Sequence, residues 1–175
     1  NFTLWQGLTI CNFLRNYLDN DGIKIKWPND IYYEGKKLAG ILTEASIDCE
    51  RIKTLVFGIG LNVNINTHNF PKDLGKESIS LQSIIGEQLR LHELAAKLIK
   101  VILASYKQTI SQNLQEQLLN EWDEVDELSG KKIRITTGKE EIIGKASGID
   151  RDGNLLVKLR NGRLKKLHSG DIKIL

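Results

Sequence analysis

Apolar residues recur at nearly every helical spacing along the first part of the chain. Within residues 3–18 they occupy positions 4, 8, 11, 14 and 18, and also positions 10, 13 and 17. A stretch that is apolar almost all round predicts a buried helix that packs on a sheet. The turn-forming residues Asp19-Asn20-Asp21-Gly22 predict the end of this helix.

Three apolar, β-branched runs follow, and turn residues separate them. Their length and composition predict three strands, at Ile23–Trp27, Leu38–Ile47 and Thr54–Val63. Pro28 cannot continue a central strand, because proline has no N–H to donate. The short turn Glu34-Gly35-Lys36 predicts that Tyr32–Lys37 is the bend of a hairpin.

The next stretch alternates between a polar segment and helical patterns. Residues 66–80 are polar and have no apolar period, which predicts a long loop that covers a ligand. Ser80–Ile85 predicts a short helix stopped by Gly86. Apolar residues at 91, 94, 95, 98, 99, 102, 106 and 110 predict an amphipathic helix, and Leu114–Val125 predicts another. We expect the acidic residues near its end to be solvated: Glu121, Asp123, Glu124, Asp126 and Glu127.

From residue 131 the chain consists of short β runs broken by glycine. The runs cover residues 131–136, 137–141, 142–149, 154–159 and 163–168. Asp152-Gly153 and Asn161-Gly162 are typical hairpin turn pairs. Five short strands in so few residues predict a small SH3-like barrel, whose core would depend on the preceding domain for stability.

The distribution of basic and acidic residues also changes where the short β runs begin. Residues 1–128 carry 13 basic and 17 acidic side chains, whereas residues 129–175 carry 12 and 5. This shift at Ser129-Gly130 predicts two domains, 1–128 and 129–175. The chain begins Asn1-Phe2 and contains no methionine, which we interpret as a piece of a longer protein.

Composition also narrows the cellular setting. No run of eighteen apolar residues exists, so we expect no transmembrane helix. Cys11 and Cys49 have neither metal-ligand spacing nor a disulfide framework, which favours a reducing, cytoplasmic location.

Three motifs within about forty residues carry a family resemblance. They are Lys26-Trp27-Pro28-Asn29-Asp30, Lys37-Leu38-Ala39-Gly40-Ile41-Leu42 and Gly58-Ile59-Gly60-Leu61-Asn62-Val63. In order and spacing the chain resembles the biotin protein ligases. The resemblance implies an α/β (α+β) fold of the class II synthetase and biotin ligase kind. A mixed β-sheet packed with helices would form a partial catalytic domain in residues 1–128, followed by the SH3-like domain in 129–175.

The same resemblance implies an activity. Biotin protein ligases use ATP, with Mg²⁺, to activate biotin to biotinyl-5'-AMP, and they pass the biotinyl group to a lysine of a biotin carboxyl carrier protein. The implied partners are this carrier, biotin, ATP and possible second copies in a homodimer, with no membrane and no nucleic acid. The family's glycine- and arginine-rich biotin and phosphate loop should lie upstream of Asn1. We therefore expect the chain to lack part of its pocket and to be inactive alone.

Lys37 is the residue whose implied role has the clearest physical reason. A carboxylate that attacks a phosphate needs a fixed cation between the two anions, and Lys37 matches the family's lysine for biotin binding and catalysis. The alternative is an ordinary surface lysine in a hairpin, like its neighbour Lys36.

Asp30, Asn29 and Lys26 are implied to act beside it. Asp30 would hold Mg²⁺ through the phosphates or orient the incoming lysine amine, and its alternative is an Asx-type turn after Pro28. Asn29 would bind ATP phosphate or metal-bound water, or else only shape the turn. Lys26 would bind ATP, or else only point outward from a strand.

The third motif is implied to bind the nucleotide. The amide of Asn62 has a donor and an acceptor, which match the edge of adenine. Gly60 would let the backbone approach ATP, and Gly40 and Gly58 would do the same for biotin. The alternative for these glycines is a bulge or close packing between strands.

A second function class remains open from composition. The basic residues of 129–175 could serve a nucleic-acid-binding adaptor. That segment holds no Phe, Tyr or Trp, so it has no stacking platform for single strands.

Overall fold

Helix α1 (Phe2–Leu18) forms where the apolar pattern predicts it. This computed structural model describes residues 2–48, 51–66, 72–111, 114–138 and 140–175. Leu8, Ile10 and Leu14 are almost completely buried, and the helix packs on the first three strands and on two later helices. The prediction of a buried helix on a sheet is confirmed.

A four-stranded sheet follows α1, and its strands lie in the order β1-β2-β3-β4. They are β1 (Ile23–Lys26), β2 (Asp30–Tyr33), β3 (Lys36–Asp48) and β4 (Arg51–Leu61). Every neighbouring pair is antiparallel, because connections this short cannot make the crossover that parallel pairing needs. The three predicted strands are confirmed, but the described sheet is antiparallel and not mixed.

The sequence analysis did not predict strand β2. Only Ile31 of its four residues is buried, so its apolar signal is a single side chain. The turn is confined to Glu34-Gly35, whose φ angles are 48° and 74°. The predicted bend over Tyr32–Lys37 is therefore wrong at both ends, since its first and last residues belong to strands.

The polar segment before residue 81 is more ordered than we expected. Helix α2 (Lys72–Glu77) occupies part of it, so the prediction of one long loop over residues 66–80 is wrong there. Its sequence has a glycine and no apolar period, which explains why periodicity did not reveal it. Residues 67–71 lie outside the described part of the chain. Helix α3 (Leu81–Ile85) is confirmed, with Ser80 as N-cap and Gly86 as a left-handed C-cap.

Two longer helices pack beside α1. They are α4 (Leu91–Ser111) and α5 (Gln115–Val125), and both were predicted. Leu94 and Leu98 of α4 are buried. Other apolar residues of α4 stay exposed: Leu91, Ile99, Leu103 and Tyr106. Within the described residues, no helix has the length and apolar character needed to cross a bilayer.

The acidic end of α5 is only partly solvated. Asp126 and Glu127 are each 8% exposed, so the expectation is wrong for these two residues. One carboxylate oxygen of Asp126 accepts a hydrogen bond from the backbone N–H of Leu128 at 2.8 Å. The backbone N–H of Glu127 donates to the carbonyl of Ile25 at 2.8 Å, and the Glu127 carboxylate forms an ion pair with Lys131. The backbone pairing of Asp126 and Glu127 with Ile25 brings the end of α5 against strand β1, where both side chains are buried.

The second sheet contains five antiparallel strands in the order β8-β7-β6-β5-β9. They are β5 (Lys132–Thr137), β6 (Glu140–Ile149), β7 (Leu155–Lys158), β8 (Leu164–Leu167) and β9 (Asp171–Ile174). The number of strands agrees with the prediction, but two predicted runs merge in β6, and β9 was missed. The core of the sheet contains Ile133, Ile135, Leu155 and Val157.

One buried hydrogen bond links the residue after β1 to the turn between β6 and β7. The indole N–H of Trp27 donates to the carbonyl oxygen of Gly153 at 2.9 Å. Trp27 is 2% exposed and Trp122 is 1% exposed, so both side chains belong to the core. Because Trp27 precedes Pro28-Asn29-Asp30, the second sheet holds the end of β1 and the turn that follows it.

Candidate functional site

An open cleft of about 430 Å³ lies over the outer face of the first sheet. Strand register places its residues opposite one another, because Asp30 pairs with Gly40 and Gly40 pairs with Gly60. Six of the predicted site residues line this cleft: Asn29, Asp30, Lys37, Gly40, Gly58 and Gly60. The antiparallel pairing thus brings the three sequence motifs together on one surface.

The charged centre of the cleft is an ion pair. Lys37 Nζ lies 2.7 Å from Asp30 Oδ1, and the two side chains are 43% and 22% exposed. Lys37 is therefore not a free hairpin lysine, since its ammonium group is held above β3 by a carboxylate from β2. Both groups remain accessible to a ligand that enters the cleft.

Glycines form the floor beside this ion pair. A Cβ added at Gly40 would lie 3.3 Å from Asp30 Oδ1 and 3.3 Å from Lys37 Cε. A Cβ at Gly58 would meet nothing closer than 3.8 Å, and one at Gly60 would meet nothing within 4 Å. Close packing between strands therefore does not explain Gly58 and Gly60. Among the described residues their outer face is open, so a flat ligand can lie directly on the backbone.

Asn29 holds the turn that carries Asp30. Its Nδ2 donates to the carbonyl of Ile41 at 2.6 Å, and its own carbonyl accepts from the Ile41 N–H at 2.9 Å. The amide donors of Asn29 thus fix the turn to strand β3. This geometry supports the turn-shaping alternative, although Asn29 also lines the cleft.

Lys26 lies next to the ion pair but contacts a tyrosine. Lys26 Nζ donates to Tyr32 Oη at 3.2 Å and lies 4.9 Å from the centre of the Tyr32 ring. Burial lowers the pKa of Lys26, and the nearby Asp30 carboxylate opposes that effect. Burial also raises the pKa of Tyr32, and Asp30 adds to it. Sequence reasoning missed Tyr32 because it lay in the supposed hairpin bend, although its spacing from Asp30 is that of one strand face.

Asn62 does not line the cleft. Its backbone N–H donates to the carbonyl of Leu38 at 3.0 Å, and its Nδ2 donates to the carbonyl of Ile79 at 3.1 Å. The Leu81 N–H donates to the Asn62 carbonyl at 2.9 Å. Asn62 therefore joins the ends of β3 and β4 to the segment before α3, and no donor among the described residues reaches its Oδ1.

A second cleft of about 340 Å³ adjoins the first at Asn29 and Asp30. One wall is the segment from Lys26 to Asp30, and the other comes from β5 and β9 of the second sheet. Arg134 and Lys173 add positive charge to that wall, and Asp171 adds a carboxylate. Sequence reasoning missed these residues, because they lie more than 100 positions from Lys26 and only the packing of the two sheets brings them near.

The side chains at the cleft suit a metal ion that is held partly by the protein and partly by a bound substrate. Within the described residues, no cluster of three or more His, Cys, Asp or Glu side chains could hold a metal by itself. Asp30 supplies one carboxylate at the cleft. Mg²⁺ is commonly bound by one or two carboxylates together with substrate phosphates and water, so Asp30 fits that pattern.

Comparison with known proteins decides the family. The model described as "Biotin/lipoate A/B protein ligase family" matches residues 2–64, and the one described as "Biotin protein ligase C terminal domain" matches residues 128–175. The chain belongs to the biotin protein ligase family. All three motifs lie within the first match, and the five-stranded sheet lies within the second.

Curated relatives and solved structures agree with this assignment. The chain is 33% identical over 150 residues to the bifunctional ligase/repressor BirA of Bacillus subtilis, covering 86% of the chain and 46% of the relative. It is 30% identical over 168 residues to BirA of Escherichia coli, covering 96% and 51%. The chain thus spans about half the length of the curated relatives it matches.

The fold of this biotin protein ligase chain also matches solved structures. The apo biotin protein ligase of Aquifex aeolicus superimposes with a TM-score of 0.81 at 25% identity, over 99% of the chain and 74% of that structure. The Aquifex aeolicus enzyme in complex with biotin and ATP gives a TM-score of 0.79 at 24% identity, over 99% and 70%.

Proposed function

We propose that the protein containing this chain is a biotin–[acetyl-CoA-carboxylase] ligase. It would activate biotin with ATP to biotinyl-5'-AMP and transfer the biotinyl group to a lysine of a biotin carboxyl carrier protein. The observation that carries the proposal is the Lys37–Asp30 ion pair of 2.7 Å above an open floor of glycines. It supplies a cation, a carboxylate and close backbone approach at one place.

In the first step, a biotin carboxylate oxygen attacks the α-phosphorus of ATP, the new oxygen–phosphorus bond forms, and pyrophosphate leaves. Both reactants are anionic, so a fixed cation at the meeting point lowers the barrier. Lys37 Nζ would donate to the carboxylate and to the bridging oxygen as charge moves between them. Asp30 keeps this ammonium group in place before the substrates arrive.

In the second step, the acceptor lysine amine attacks the acyl carbon of biotinyl-5'-AMP. An amide bond forms, the acyl–phosphate bond breaks, and AMP leaves with its oxygen negatively charged. The attacking amine would give up a proton, which passes to solvent, and Asp30 is the carboxylate at the cleft that would orient the amine. A positioned carboxylate serves this role only if it lies within hydrogen-bond reach of the amine, which the exposed part of Asp30 allows.

The remaining site residues divide between the two substrates. Gly40 and Gly58 would approach biotin, since both line the cleft beside Lys37. Gly60 would approach ATP, and Lys26 and Asn29 would contact its phosphates from the adjoining cleft. Asn62 would present its Oδ1 to the amino group of adenine, because its amide donors already bind backbone carbonyls.

Mg²⁺ would bind through Asp30 and the phosphates of ATP. The ion supplies positive charge that neutralises the phosphates during adenylate formation. Asp30 would help to hold the ion, and Lys37 would add a second positive charge beside it.

We extend the proposal to the organisation of the protein. Residues 1–128 would be part of a catalytic domain of the class II synthetase kind, and residues 129–175 an SH3-like barrel. The break in sequence charge at Ser129-Gly130 and the separate five-stranded sheet support this division. A cytoplasmic location and a homodimer remain predictions.

The test is a two-step assay on the protein expressed from its complete gene. With biotin and ATP we expect release of pyrophosphate and an adenylate that hydroxylamine traps as biotin hydroxamate. Adding a biotin carboxyl carrier domain should give ATP-dependent biotinylation, and a carrier with its acceptor lysine changed to arginine should give none. Absence of hydroxamate, or equal use of lipoate, would refute the assignment.

The same preparation tests the nucleic-acid alternative. Three cations of the second sheet pair with acids: Arg134 with Glu141, Lys165 with Glu140, and Lys166 with Asp150. These pairs reduce its positive potential, so we expect no binding to nonspecific DNA near physiological salt. A salt titration that shows retained binding would favour the adaptor.

A further inference from the structure

The contact between Lys26 and Tyr32 is the only interaction that the described residues give the Lys26 ammonium group within hydrogen-bond distance. Lys26 Nζ donates to Tyr32 Oη at 3.2 Å, and the same nitrogen lies 4.9 Å from the ring centre. One side chain therefore offers Lys26 both an acceptor atom and a π-face. Lys24, two residues earlier, instead donates to the carbonyl of Glu124.

Strand geometry places this pair on the site face of the sheet. Tyr32 pairs with Lys24, and Asp30 pairs with Lys26, so these residues project to one side of β1 and β2. Tyr33 projects to the other side, where its hydroxyl accepts from Asn20 Nδ2 at 3.3 Å. Tyr32 thus lies on the same sheet face as Lys26 and Asp30, although the family motifs that carry the proposed chemistry do not include it.

We propose that Tyr32 is a positioning residue that holds the Lys26 ammonium group aimed at the phosphates of ATP. This inference rests on the proposed function, in which Lys26 contacts those phosphates. A lysine side chain has four rotatable bonds and considerable rotamer freedom. A hydrogen-bond donor that is already held in place needs no reorganisation when charge develops on its acceptor. A contact that fixes Lys26 before ATP binds therefore strengthens the interaction of Lys26 with the phosphates.

The surrounding charges explain why Lys26 needs this support. Burial disfavours its charged form, and the neighbouring Lys37 ammonium acts in the same direction. The carboxylates of Asp30, Glu77 and Asp171 oppose these effects from β2, α2 and β9. The adjoining cleft also contains two cations of the second sheet, Arg134 and Lys173. When the phosphates engage the other groups, the phenol of Tyr32 still accepts a hydrogen bond from Lys26 and keeps its ammonium group in place.

Tyr32→Phe is the sharpest variant, because it removes the hydroxyl and keeps the ring. Tyr33→Phe is the matched control, since it removes a hydroxyl from the adjacent residue on the opposite face. Thermal denaturation of both variants checks that each remains folded. Tyr32→Leu removes the ring as well, and its effects should exceed those of Tyr32→Phe.

The first measurement does not depend on activity. Competitive labelling of the amines by acetic anhydride across a range of pH, read by mass spectrometry, gives a titration midpoint for each lysine of the full-length protein. We expect the Lys26 midpoint to lie at lower pH in Tyr32→Phe than in the wild type and in Tyr33→Phe, because the ammonium form has lost an acceptor. The Lys24 midpoint should be the same in all three proteins. An unchanged Lys26 midpoint would overturn the proposal.

The second measurement is steady-state adenylate formation. We expect Tyr32→Phe to raise the KM for ATP about tenfold and to change the KM for biotin less than twofold. The alkaline limb of kcat/KM for ATP should also move to lower pH. Equal rises in both KM values with an unmoved pH profile would show a merely structural role and refute the inference. If the wild type forms no adenylate but the Lys26 midpoint still shifts, the proposed function fails while the Lys26–Tyr32 coupling stands.

Discussion

Lys37→Ala tests the centre of the proposed chemistry. The substitution removes the ammonium group that lies 2.7 Å from Asp30 Oδ1 and leaves the backbone of β3 intact. Removing one preorganised donor to a developing charge costs about 10²–10³ in rate. We therefore expect adenylate formation to fall by at least about a hundredfold.

The structure also predicts a small effect on stability. The Lys37 side chain is 43% exposed and its partner is 22% exposed, so solvent screens their attraction. Such pairs contribute about 0–1 kcal/mol to folding, which corresponds to a change in Tm of roughly 4 °C or less in a protein of this size. The backbone contact between the Lys37 carbonyl and the Ile79 N–H does not depend on the side chain. Large loss of rate with little loss of stability is thus the expected combination.

Pyrophosphate release and a thermal melt, measured on the same preparation, decide this prediction. Lys36→Ala is the matched control, because Lys36 is the adjacent, exposed lysine and makes no ion pair among the described residues. The control should retain wild-type turnover. If Lys37→Ala kept turnover within about fivefold of the wild type, or if it unfolded at room temperature, the assignment of Lys37 as the catalytic cation would be wrong.

Four further predictions address other parts of the structure. Asn62→Ala should weaken ATP binding by roughly 1–3 kcal/mol and biotin binding much less; calorimetry that finds equal losses would make the residue structural. Gly40→Val should place methyl groups against the Lys37–Asp30 ion pair and lower adenylate formation about a hundredfold, whereas unchanged kinetics would contradict a role for the glycine floor. Burial raises the pKa of Asp126 from 3.8 to about 6, so between these pH values the folded state keeps a proton that the unfolded state has released. The wild type therefore loses stability as pH rises from about 4 to 6, and the free energy of unfolding of Asp126→Asn should rise by about 1–3 kcal/mol relative to it. Urea titrations that show a constant difference between the two proteins across this pH range would contradict the prediction. Biotin plus ATP should slow hydrogen exchange in helix α2 (Lys72–Glu77), which would cover the adenylate, while residues 78–80 should already be protected. No gain in protection of α2 would exclude this helix as a lid.

The sequence by itself determined the local elements and the family. The all-round apolar pattern of residues 3–18 predicted α1, and the period of residues 91–110 predicted α4, because both patterns depend only on the spacing of neighbouring side chains. The three motifs identified the family without any structure. Strand β2 and helix α2 were missed because their short polar sequences hold too few apolar side chains to show a period.

Only the tertiary structure decided how the site is assembled. Pairing of Asp30 with Gly40, and of Gly40 with Gly60, brings an ion pair and a glycine floor onto one surface, and no local pattern encodes that register. The contact of Lys26 with Tyr32 required strand β2 to be recognised as a strand. The hydrogen bond from Trp27 to Gly153 joins residues 126 positions apart. The pairing of Ile25 with the buried Asp126 joins two other segments that are similarly distant in the sequence. Such contacts follow from packing of the whole chain, because the free energy of burying one face depends on which other face covers it.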